Sequence, residues 1–155
     1  MKKIWKLFIT ISIVFLASAL GGLFTANSVS TWYQELAKPF FNPPNWIFGP
    51  VWTLLYFLMG ISLYLIWISK SNSNKKTALI FFAIQLFLNV LWSFLFFGLQ
   101  NPFLAFVEII LLWLAIFATI FYFYKINKMS AYLLVPYILW VSFASVLNLS
   151  IFLLN

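Results

Sequence analysis

Three apolar stretches carry polar and aromatic side chains at helical spacing. Gln85, Asn89, Trp92, Ser93 and Phe96 fall on one helix face, and so do Gly49, Trp52, Tyr56 and Gly60. Pro136, Trp140, Ala144 and Asn148 recur at every fourth position of a third stretch. A face turned to lipid needs only Leu, Ile and Phe. Faces that mix indole, phenol, amide and small groups describe a lined pocket under a Pro-rich loop instead. A simple packed bundle is the competing reading, with Trp and Tyr as interface anchors and the amides as interhelical glue.

Acid–base and metal chemistry have little to work with. The chain has no His, Cys, Asp or Arg, and Glu35 and Glu108 are its only acids. Zinc, copper and iron–sulfur sites lack their usual ligands. Ser-His-Asp and Cys-His catalysis are excluded. The two Glu lie on different segments, which argues against a carboxylate-pair hydrolase. Glu108 lies ~8 Å inside an apolar span, which marks it as a functional candidate. It is either neutral, bonded to an amide such as Asn89, or snorkelling to the interface.

The elements that must position these groups follow from composition. Of 155 residues, 65% are hydrophobic and 7% charged, with a mean hydropathy of +1.06. A soluble domain of this size cannot hide that much apolar surface. The expected fold is an all-α integral membrane protein, a single bundle of five transmembrane helices spanning about 4–26, 46–68, 78–98, 103–124 and 131–153. A long loop over 27–45 carries Pro39, Pro43 and Pro44. The other connections are short, so neighbouring spans run antiparallel. Pro136 lies inside the fifth span; it frees the Tyr132 carbonyl and predicts a kink.

Charge sets the expected orientation. Eight of the nine Lys fall at the N-terminus and in the second and fourth connections, leaving Lys38 alone on the other side. This predicts a multi-pass cell-membrane protein with its N-terminus cytoplasmic, and its Pro-rich loop and C-terminus outside. The scattered basic charge does not read as a nucleic-acid surface. Lys2-Lys3 with Ala17-Ser18-Ala19 also resembles a signal peptide, but the apolar run continues to Ala26. Ala17-x3-Gly21, Ser18-x3-Gly22 and Gly22-x3-Ala26 predict close helix approach, within the bundle or across a dimer seam. Leu58-x5-Tyr64-x5-Lys70 matches a loose cholesterol-type pattern common by chance in apolar sequence. At ~1.5 Å per residue, Trp52, Tyr56, Asn89 and Trp140 converge in the half of the membrane nearer the Pro-rich loop.

Three blocks resemble the translocator protein family, also called tryptophan-rich sensory proteins or peripheral benzodiazepine receptors. The first runs Trp32-Tyr33-x2-Leu36-x-Lys38-Pro39, Pro43-Pro44-x-Trp46, and Pro50-Val51-Trp52-x2-Leu55-Tyr56-x2-Met59-Gly60. The second is Gln85-x3-Asn89-x2-Trp92-Ser93-x2-Phe96-Phe97, and the third is Pro136-Tyr137-x2-Trp140-x2-Phe143-Ala144-x3-Asn148. The blocks keep the family order and cover nearly the whole chain.

The resemblance implies a five-helix protein, usually a homodimer, that binds tetrapyrroles such as protoporphyrin IX and similar flat apolar ligands, and the Lys, Phe, Ile and Asn bias suggests a bacterial member. No obligatory cofactor is implied. Tyr33, Trp52, Tyr56, Asn89, Trp92, Trp140 and Ala144 match positions of the family pocket. Trp52 and Trp140 match the Trp positions linked to light-dependent porphyrin breakdown, and an acid in the fourth span is familiar there. The C-terminal sterol stretch of eukaryotic members is missing its basic residue, because nothing after Lys128 is basic. Porphyrin propionates are expected near Lys38. A transporter and a non-enzymatic partner protein are the alternatives; a transporter usually shows repeats or broken helices around a midplane site.

Overall fold

The computed structural model describes residues 2–71 and 73–155. Five segments are long and apolar enough to cross a membrane: Lys2–Val29, Asn45–Ile68, Lys75–Gly98, Pro102–Ile126 and Lys128–Leu154. No strand occurs among the described residues. The spans match the expected ones and extend a few residues further at most ends.

The helices are α1 (Lys2–Val29), a short α2 (Trp32–Glu35), α3 (Asn45–Ile68), α4 (Lys75–Ser93), α5 (Pro102–Ile126), α6 (Lys128–Leu133) and α7 (Val135–Leu154). Only α2 interrupts the connection between α1 and α3, and residues 36–44 lie outside any helix. The bundle closes as a ring in which α1 touches α3 and α4, α4 touches α5, α5 touches α6 and α7, and α6 returns to α3.

Local chemistry sets the breaks. Pro102 starts α5 behind an Asn101 cap, whose Oδ1 accepts from Leu104 N–H at 3.0 Å. Asn127 caps α6 in the same way through Ser130 N–H at 3.1 Å. Pro136 divides the fifth span into α6 and α7 at Leu134. The kink expected from the sequence is therefore a break in the helix. At the end of α4, Phe94–Gly98 widens into a π-helical turn, closed by Leu99 N–H on Phe94 O and Asn101 N–H on Leu95 O. Such turns appear often at functional sites.

The end of the bundle that holds most of the Lys is packed solid, with Met59, Ile66, Phe82, Ile116 and Phe123 almost fully buried. A reciprocal clasp joins α3 to α6: Ser62 Oγ donates to Ser130 O at 2.8 Å and Ser130 Oγ donates to Ser62 O at 2.8 Å. Interhelical bonds in membranes average ~0.6 kcal/mol with a ceiling near 1.7. Ser62→Ala is therefore expected to lower stability by about 1 kcal/mol. Equilibrium unfolding in mixed detergent micelles checks this, and ligand binding at the far end should not change.

Candidate functional site

Toward the loop end the helices splay around a cavity of about 350 Å³. Five elements supply its walls: α1, α3, α4 with its π turn, α5 and α7, with Tyr33 of α2 closing it from the loop. Tyr33, Trp52, Tyr56, Asn89, Trp92, Trp140 and Ala144 all reach this one space.

A chain of buried hydrogen bonds forms the floor. Tyr56 O–H donates to Asn89 Oδ1, and Asn89 Nδ2 donates to Tyr137 O–H at 2.8 Å. Tyr137 in turn donates to Gln85 Oε1 at 2.9 Å. Asn89, Tyr137 and Gln85 are 4%, 1% and 1% exposed, so water cannot replace these partners. The chain ties α3, α4 and α7 together directly below the cavity. It also commits both ends of the Asn89 amide, so Asn89 acts as the keystone of the floor.

Rings line the space above. Trp52 packs on Tyr56 and Tyr137 with centroids 5.6 and 6.3 Å apart. Trp140 packs on Phe48 and Phe143 at 6.0 and 5.5 Å. Trp92 stacks on Phe96 at 5.0 Å, and its indole N–H donates to Asn148 Oδ1 at 3.0 Å. Asn148 Nδ2 then holds Pro102 O at 2.8 Å, which fixes the start of α5. Amide bonds and ring packing thus set the aromatic walls before any ligand arrives, which limits the ordering cost of binding.

The loop end is fastened at several points. Tyr33 is buried against Phe96 and Phe97 and donates to Asn42 Oδ1 at 3.0 Å. Burial raises its phenol pKa, and the Asn42 bond offsets part of that rise. The Asn155 amide accepts from Ala37 N–H and donates to Ala37 O, at 3.0 and 2.9 Å. Lys38 Nζ donates to the Gln34 and Leu36 carbonyls and lies 4.8 Å from the Tyr33 ring centre. Two of its three N–H donors are thus held by the loop, which leaves one for a ligand carboxylate, and Lys38 itself does not line the cavity.

Glu108 stands apart from the expectation. It is buried in α5 but does not line the cavity. Both carboxyl oxygens are enclosed with no hydrogen-bond partner among the described residues. Neither the Asn89 bond nor snorkelling to the interface is seen, because Asn89 is committed to Tyr56 and Tyr137 and the carboxyl is enclosed. Among the described residues no cluster of acids could hold a metal ion.

Sequence reasoning missed the contribution of α1. Ser18, Gly21, Gly22 and Thr25 line the cavity, and their small size was legible only as packing. Gly21 fits that reading: a Cβ there would lie 3.2 Å from Ser93 Oγ, so it seats α1 on α4 of the same chain. Gly22 meets nothing within 4 Å.

Five apolar helices around a preformed aromatic cavity define a multi-pass membrane protein with an internal binding space. The sequence model of the TspO/MBR family matches residues 8–154, and the chain belongs to that family. It is 52% identical over 153 residues to the tryptophan-rich protein TspO of Archaeoglobus fulgidus, covering 99% of each chain. The tryptophan-rich sensory protein of Cereibacter sphaeroides is 36% identical over 154 residues, covering 97% of this chain and 92% of that one. Human translocator protein is 36% identical over 131 residues, covering 83% and 78%.

Proposed function

We propose that this protein is a membrane receptor for tetrapyrroles, of which protoporphyrin IX is the representative, and for similar flat apolar ligands. The observation that carries the reading is the convergence of Trp52, Tyr56, Trp92 and Trp140 on one cavity whose polar floor is already satisfied. Its volume lies within the ~300–1,000 Å³ of small-molecule sites. A porphyrin plane would gain ~0.5–1.5 kcal/mol per well-placed ring beyond simple burial. The chain has no His or Cys, so metal-free porphyrin suits it better than haem. Protein purified in the dark from porphyrin-loaded membranes should retain about one porphyrin per chain after exhaustive washing. Retention no greater than that of an unrelated five-span protein would defeat the proposal.

Light adds a second use of the same space. Trp52 and Trp140 are oxidisable indoles on the cavity wall, and the bound porphyrin would supply the photochemistry itself. Trp52→Phe and Trp140→Phe keep an aromatic ring and should keep most of the dark affinity. Each should slow the light-driven loss of porphyrin absorbance at least tenfold. Unchanged photobleaching in both variants would leave binding as the whole activity.

The Lys distribution supports a cytoplasmic lysine-rich end and a loop end outside the cell membrane.

A further inference from the structure

The cavity wall is uneven, and the gap lies between α1 and α3. These helices are pressed together near the lysine-rich end. A Cβ on Gly60 would lie 3.0 Å from the Ile11 Cα and 2.9 Å from its Cγ1. Lys6 sits over Trp67, and Phe15 meets Tyr56, so contact continues up to the cavity floor. Above that level α1 leans onto α4 and its π turn. Gly21 meets Ser93, Phe24 packs on Phe94 at 5.1 Å, and Ser28 Oγ donates to Phe97 O at 2.6 Å. The tilt that seats α1 on α4 opens a wedge beside α3.

Gly22 and Gly49 stand on the two sides of that wedge. Both line the cavity, both are exposed, and a Cβ on either would meet nothing within 4 Å. Two threonines share the rim, and their hydroxyls are turned back into their own helices. Thr25 Oγ1 donates to Gly21 O at 3.1 Å and Thr53 Oγ1 donates to Gly49 O at 2.9 Å. Each hydroxyl thereby satisfies itself without water, which suits a surface in hydrocarbon. The seam between α3 and α7 differs, because Phe48–Trp140 and Trp52–Tyr137 ring contacts span it. The loop end is held by Tyr33 and Asn155.

We infer that the α1–α3 wedge is a lateral doorway through which the ligand passes directly between the cavity and the loop-side leaflet of the bilayer. The rim residues Gly22, Thr25, Gly49 and Thr53 carry no charge, so the apolar plane of the ligand leads. Its ionised edge stays toward the headgroups, near the exposed Asn45 at the top of the opening. The ligand class follows: planar amphiphiles that partition into lipid before they bind. This rests on the receptor reading for its ligand, but the doorway itself is a property of the two helices.

The test is the double variant Gly22→Leu/Gly49→Leu, which puts side chains into open space. In liposomes, association and dissociation of protoporphyrin IX should both slow at least tenfold; slower association with unchanged or faster dissociation would be lost affinity and would overturn the doorway. Saturable binding with unchanged rates would overturn the doorway and leave the receptor reading intact. A second measurement needs no porphyrin. Quenching of Trp52 by phospholipids brominated along the acyl chain is obtained by difference from Trp52→Phe, in each background. Filling the wedge should reduce that quenching by half or more. If wild-type protein binds no porphyrin saturably, the receptor reading fails and this quenching alone decides the doorway. Equal quenching in wild type and the double variant would overturn it.

Discussion

Asn89→Leu is expected to destabilise the bundle by ~2–3 kcal/mol and to loosen the cavity floor. Leu keeps the branched shape of Asn but is bulkier, so some overpacking adds to the cost at this buried site. The rest comes from two phenols. Tyr56 loses its acceptor and Tyr137 loses a donor, and both are buried where water does not substitute. A single interhelical bond in a membrane protein is worth about 0.6–1.7 kcal/mol, because the unfolded helices find other partners in the bilayer. Orphaning two groups held rigidly in the folded state puts the total above that range. The coupling is measurable. Tyr137→Phe alone strips Gln85 of its donor and Asn89 of its acceptor, so the two single variants damage overlapping parts of one network. The double variant should cost clearly less than the sum of the singles. Strict additivity in equilibrium unfolding would mean that the four side chains do not act as a chain.

Gly60→Leu should be the most damaging glycine substitution. Its first added atom already meets the Ile11 backbone at 3.0 Å and Val14 Cγ2 at 3.2 Å, and backbone cannot rotate away. Helix α1 must shift, at a cost of at least ~1–3 kcal/mol, and its seat on α4 through Gly21 shifts with it. Gly22→Ala is the matched control. It lies on the same α1 surface with no atom within 4 Å of the new Cβ, and alanine favours the helix by roughly 0.5–1 kcal/mol. Melting temperatures should therefore move in opposite directions. Parallel destabilisation by both would mean that α1 and α3 touch along their whole length.

Fold and site were legible in the sequence to different depths. Helix number and span ends followed from unbroken apolar runs and from the bilayer thickness, which fixes helix length whatever the tertiary detail. The break at Pro136 followed from a missing N–H. Trp52, Tyr56, Asn89 and Trp140 were brought to one level by counting rises along helices. That arithmetic gives depth but not rotation between helices. It could not show that Asn89 spends both ends of its amide on Tyr56 and Tyr137, or that Glu108 is buried without bonding it. The π turn at Phe94–Gly98 was also hidden, since Phe-Leu-Phe-Phe-Gly reads as ordinary helix. The role of α1 was the largest omission. Gly21 and Gly22 are adjacent and chemically identical, yet one packs on Ser93 and the other faces an opening. Their separation of about 100° around the helix axis points one at α4 and the other away from it, and the sequence does not say where α4 lies.

The central claim is that a tetrapyrrole occupies the space walled by Trp52, Trp92 and Trp140. The most direct measurement is a dark titration with protoporphyrin IX, read by quenching of Trp fluorescence in wild type, Trp140→Ala and Trp5→Ala. Trp5 lies 64% exposed on α1 at the opposite end of the bundle, so it reports ligand that has merely partitioned. The account predicts saturable binding that weakens tenfold or more in Trp140→Ala, about 1.4 kcal/mol, and is unchanged in Trp5→Ala. Quenching that never saturates, or equal affinity in all three proteins, would contradict it.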